Sequence, residues 1–151
     1  EGPLGAWSFT GEVEVGETGD SAFPVPIRLD AWEIPEAARP GDSLPVALTW
    51  RALGKIDAYY SLYVKLVDGQ GNAVAGWDGQ PRSGEAPTLL WVPGEVIEDS
   101  VTLAVPGDLP AGEYVVEVGM YRAADLARCL TLDRDGVPLS RVMLGAVRIT
   151  E

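Results

Sequence analysis

Three observations predict an all-β fold, an immunoglobulin-like antiparallel β-sandwich of about eight strands with two long loops. The first is alternation. Leu44-Pro-Val-Ala-Leu-Thr-Trp-Arg51 and Tyr59-Tyr-Ser-Leu-Tyr-Val-Lys-Leu-Val-Asp68 place Val46, Leu48 and Trp50, then Tyr60, Leu62, Val64 and Leu66, on single apolar faces. The second is composition: 18 Gly and 12 Pro in 151 residues supply many turns and leave little room for long helices. The third is the regular return of turn signals between short alternating runs, the spacing of a sandwich.

The length suits one domain with a sizeable core and no need of disulfides or metal. Residues 1–22 read as an N-terminal linker with one edge strand, Ser8 to Val15, and residues 23–151 as the sandwich domain. Phe23 to Ile34 is extended, with Ile27, Leu29 and Ala31 facing inward and Pro24 and Pro26 restricting its start to a sheet edge. Arg39-Pro-Gly-Asp42 is a turn before the central pair of strands, which Ala52 to Ala58 joins. Asp68-Gly-Gln-Gly-Asn72 provides a hairpin turn, after which Ala73 to Trp77 runs back antiparallel.

Asp78 to Glu95, interrupted by three glycines and three prolines, is the first long loop. Val96 to Val105 resumes the alternation, and Tyr114 to Tyr121 repeats it. Gly112-Glu-Tyr114 resembles the tyrosine corner of immunoglobulin-type sandwiches, in which the hydroxyl bonds back to the preceding loop. Arg122 to Pro138 is the second long loop and Ser140 to Thr150 the closing strand.

Charge and missing residue types narrow the chemistry. With 23 acidic against 11 basic side chains the net charge is −12, which opposes binding to nucleic acid or anionic lipid. No apolar run approaches the roughly 20 residues of a membrane span, so no direct membrane insertion of this segment is expected. The absence of His removes the Ser and Cys triads and the usual zinc sets, and the single Cys129 reads as a small core residue. Asp68 to Asn72 and Asp133 to Gly136 lack the downstream Glu of a calcium loop and read as hairpin turns. No catalytic residue, metal or cofactor is therefore expected.

Tryptophan is the one residue type that points to a ligand. An exposed indole on a sandwich can stack on a pyranose ring, and Trp77 and Trp91 flank the first long loop beside Asp78 and Arg82, whose polar groups suit sugar hydroxyls. The competing reading is that both rings anchor the loop to the sheet.

Taken together, Arg39-Pro-Gly-Asp-Ser-Leu-Pro-Val-Ala-Leu-Thr-Trp-Arg-Ala52, Val64 to Asp68, Trp77-Asp-Gly79, Trp91-Val-Pro-Gly-Glu95 and Leu109-Pro-Ala-Gly-Glu-Tyr114 with Val118 to Tyr121 carry a family pattern. It resembles the soluble C-terminal β-sandwich domain of bacterial polytopic membrane glycosyltransferases similar to protein O-mannosyltransferases. The resemblance implies a non-catalytic accessory domain outside the cytoplasm, tethered to the membrane and partnered by a membrane-embedded catalytic portion of the same protein. Glu1-Gly-Pro-Leu-Gly5 reads as a linker remnant, which agrees with a longer parent chain. The alternative expectation is a carbohydrate-binding module with glycan as partner and Trp77, Asp78, Arg82 and Trp91 as its site.

Overall fold

The computed structural model describes residues 23–151, so the expected strand Ser8 to Val15 lies outside the described residues. Ten strands follow in order: β1 (Phe23–Glu33), β2 (Ala37–Ala38), β3 (Ser43–Ala52), β4 (Tyr60–Val67), β5 (Ala73–Gly79), β6 (Val96–Ala104), β7 (Gly112–Arg122), β8 (Cys129–Leu132), β9 (Pro138–Leu139) and β10 (Val142–Ile149). They form two five-stranded sheets, β9-β8-β1-β3-β6 and β2-β10-β7-β4-β5. The apolar faces of both sheets meet in one core that includes Leu29, Leu48, Trp50, Leu62, Leu66, Val118 and Met120.

Several expectations need correction. The sheets are mixed, because β1 pairs parallel with β8 and β2 parallel with β10, so the all-β sandwich stands while the antiparallel immunoglobulin-like arrangement does not. Seven of the eight expected strands fall in the described residues and three more join them: β2 and β9, two residues each and too short to show a period, and β8, four residues within the stretch expected to be the second long loop, Arg122 to Pro138. The central pair is not a pair: β3 belongs to one sheet and β4 to the other, and their apolar faces look at each other across the core. β1 lies between β8 and β3, but its start agrees with the expectation: Phe23 and Pro24 pair with β8, and both prolines precede the β3 register, which begins at Ile27.

A bulge explains one inverted face. The register with β3 shifts between Leu29 and Ala31, which turns Ala31 outward and brings Trp32 opposite Leu48, against the core. The extra residue, Asp30, accepts hydrogen bonds from Arg28 and, at 2.8 Å, from Arg51. The bond from Arg28 holds its carboxyl below the usual range, against a smaller opposing push from burial. A folded-state pKa below the unfolded one means stability that is present above the unfolded value and lost as pH falls through the folded one. We therefore expect Asp30→Asn to lower the unfolding free energy by about 1 kcal/mol at neutral pH, with the two proteins converging as pH falls below the ordinary carboxylate range. Urea titrations across pH check this, and a gap that persists in acid would deny the ion pairs their role.

The tyrosine corner is present. Tyr114, buried at the start of β7, donates its hydroxyl to the Pro110 carbonyl at 2.8 Å.

Candidate functional site

The outer face of the second sheet is set by register. Opposed residues of neighbouring strands project to the same side. One row across the face reads Ser61, Tyr121 and Arg128, the last through a single bridge beyond β7. The next reads Asp78, Tyr63 and Gly119, and the next Gly76, Lys65, Glu117 and Met143. Alternation thus sends Ser61, Tyr63 and Lys65 outward while Leu62, Val64 and Leu66 enter the core.

Gly119 gives this face its floor. A β-carbon at that position would lie 2.5 Å from the Tyr63 ring, so the ring occupies the space directly over the glycine. The Tyr63 hydroxyl donates to Glu117 Oε2 at 3.1 Å, with the Ser140 carbonyl 3.5 Å away. Lys65 Nζ stands 4.8 Å from the Tyr63 ring centroid, and Arg141 approaches Glu117 Oε1 at 3.9 Å. Burial, followed by the neighbouring Glu117 charge, pushes the Tyr63 phenol well above its ordinary pKa, so it stays a donor.

Beside it, Tyr121 donates to Asp78 Oδ2 at 3.0 Å, and Gln80 Nε2 donates to Ser61 Oγ at 3.1 Å. Burial chiefly, and then the bond to Asp78, raises the Tyr121 phenol as well. Two partly exposed aromatic rings with carboxylate, amide, hydroxyl and cationic groups around them can stack on a flat apolar face and exchange hydrogen bonds with hydroxyls.

The four residues singled out from sequence do not converge on this surface. Trp91 is 4% exposed and donates its indole N–H to the Ala86 carbonyl at 2.8 Å, so it pins the long loop and offers no open ring face. Trp77 lies opposite Val64, on the inner side of the edge strand β5, and packs half-buried against the core. Asp78, one residue on, takes the outer side and joins the tyrosines.

Arg82 sits elsewhere, in a short 3-10 turn, Pro81–Gly84, where it and Ser83 adopt left-handed φ of 55° and 54°. They border an open polar groove of about 600 Å³ with Thr49, Glu85, Glu98 and Asp99. No aromatic ring lines that groove, so it lacks a stacking surface. Cys129 is buried, and burial pushes its thiol up to about 12, which suits a packing residue.

Tyr63 and Tyr121 were missed by the sequence reading. The signal was there: an aromatic on the polar phase of each alternating strand, opposite a glycine in one case. The weight given to tryptophan obscured it.

No family model matches the chain, and no curated protein matches it. Among solved structures it resembles the crystal structure of the C-terminal domain of wzt, with a TM-score of 0.58 and 13% identity over 84% of this chain and 75% of that one. It also overlaps AvmM, which catalyzes macrocyclization in alchivemycin A biosynthesis, with a TM-score of 0.47 and 13% identity over 93% of this chain and 97% of that one. The first likeness is one of fold; the second is too loose to bear on anything further. Neither links the chain to a glycosyltransferase, so the resemblance to membrane glycosyltransferase domains is corrected: its turn-and-strand motifs describe a fold that the C-terminal domain of wzt shares at 13% identity. What the structural comparison establishes is a distant similarity to the C-terminal domain of wzt.

Proposed function

We propose that this domain is a non-catalytic recognition module that binds glycan on the outer face of its second sheet, around Tyr63, Tyr121 and Asp78. The observation that carries the reading is the Tyr63 ring seated over Gly119 beside the Tyr121–Asp78 hydrogen bond. A sugar needs a flat apolar surface for its C–H face and fixed polar groups for its hydroxyls; the Tyr63 and Tyr121 rings, the first with Lys65 Nζ over it, and their polar neighbours would supply these on strands rather than on loops. The geometry also limits the order lost on binding, because the Tyr63 and Tyr121 hydroxyls are already held by carboxylates.

Isothermal titration against a panel of neutral oligosaccharides tests it. Tyr63→Ala and Tyr121→Ala are each expected to weaken binding about tenfold or more, at roughly 1.4 kcal/mol per decade. Tyr63→Phe, which keeps the ring, should lose less. Gly119→Ala, whose methyl displaces the ring, should resemble Tyr63→Ala. Binding that survives all of these substitutions would move the site off this face.

A further inference from the structure

We propose that the glycan this face takes is acidic, its carboxylate or phosphate held beside the Tyr63 ring by Lys65, Arg128 and Arg141. The inference rests on the glycan reading above and adds the charge of the ligand. Its starting point is a contrast: the chain carries −12 overall, yet the cations are not spread evenly over it.

The strand β4 and the residues just before β8 and β10 deliver three of the 11 basic side chains to the surroundings of one ring. Lys65 is two residues beyond Tyr63 on the same side of β4, with its ammonium 4.8 Å from the ring centroid. Arg128 is brought to the outer side by its bridge with Tyr121. Arg141 precedes β10 and reaches Glu117. The charges of Arg128 and Arg141 both act against the rise in the Tyr63 pKa, which agrees with their closeness to the phenol.

Their own partners are too few. Among the described residues Lys65 and Arg128 take part in no ion pair, and the Arg141 contact with Glu117 is long, at 3.9 Å, with the arginine side chain 61% exposed. The two carboxylates beside the tyrosines are already engaged, Glu117 by Tyr63 and Asp78 by Tyr121. Among the described residues three other guanidinium groups are closely paired, Arg28 and Arg51 with Asp30 and Arg122 with Asp125, while Arg39, Arg82, Arg134 and Arg148 take part in no ion pair, so the distinction of this face is that three cations meet around one ring. A face that leaves three cations underused around an aromatic floor, in a chain with twice as many acids as bases, is complementary to an anion on a sugar.

The competing account is purely structural: Lys65 caps the ring and Arg141 neutralises Glu117. Titration calorimetry with tetragalacturonate and with its fully methyl-esterified form, at low and high salt, separates the two. The acid is expected to bind about tenfold more tightly than the ester, with the difference collapsing as salt screens it. Lys65→Ala, Arg128→Ala and Arg141→Ala should each erase several-fold of that preference, costing the acid more affinity than the ester.

A parallel arm compares maltose with maltose 1-phosphate, and whichever acid shows the larger ratio over its neutral counterpart identifies the anion as carboxylate or phosphate. Equal binding of acidic and neutral forms overturns the inference while the glycan reading stands. An acid preference untouched by the three substitutions also overturns it, because the anion would then be held elsewhere. Absence of binding by these probes and by the whole neutral panel removes the glycan reading along with the inference.

Discussion

Trp91→Ala is expected to lower the unfolding free energy by about 3–5 kcal/mol, the cost of truncating a buried aromatic side chain. The ring is 4% exposed and belongs to the core, although it sits just after the short 3-10 turn Thr88–Leu90 rather than in a strand. Its indole N–H donates to Ala86 at 2.8 Å, so truncation also leaves that carbonyl without its donor. Domains of this size are stable by roughly 5–15 kcal/mol, so the change removes a large share of the total. Equilibrium denaturation gives the number directly. A fall of less than about 1 kcal/mol would mean the ring is peripheral and would reopen it as a ligand platform. Glycan affinity of the surviving folded protein should be near that of the wild type, because Trp91 lies in the core and the tyrosines lie outside it.

This separation of roles shows what sequence carries and what it omits. Period-two alternation reported which side chains of Leu44 to Arg51 and Tyr59 to Asp68 enter the core, since burial depends on local geometry that each strand repeats. It did not report which strand pairs with which. β3 and β4 carry near-identical patterns yet lie in different sheets, a choice made by the Leu53 to Tyr59 connection and by contacts distant in sequence. The bulge at Asp30 was equally hidden, because one added residue reverses the faces that follow it without leaving a trace in composition.

The candidate site followed the same division. Asp78 was found because polar residues next to aromatics are visible in a string, and it does belong to the outer face. The rest of that face comes from β4, β7 and the segment at Arg128, which are 54 residues apart between Tyr63 and Glu117 alone. Trp77 and Asp78 adjoin in sequence but project to opposite sides of β5, so proximity along the chain was the wrong guide.

Thr88→Val keeps shape and volume and is expected to cost about 2–4 kcal/mol, because one hydroxyl serves two backbone groups. Thr88 is fully buried; its Oγ1 accepts the Tyr60 N–H at 2.8 Å and donates to the Ala58 carbonyl at 3.0 Å. Valine offers neither function, so a buried N–H at the first residue of β4 and a half-buried carbonyl beside it both go unpaired. The hydroxyl contributes far more than the methyl group, and Thr88→Ser should therefore lose only about 1 kcal/mol. That ordering is diagnostic: if serine and valine destabilise equally, packing rather than hydrogen bonding fixes the loop. Amide exchange adds a local readout, since freeing the Tyr60 N–H should accelerate its exchange in Thr88→Val. Tyr60 begins the strand that carries Tyr63 and Lys65, so a start of β4 loosened in this way should also weaken binding at the outer face. In Trp91→Ala, which leaves the Thr88 hydroxyl bonds in place, binding should hold even though its loss of stability is greater.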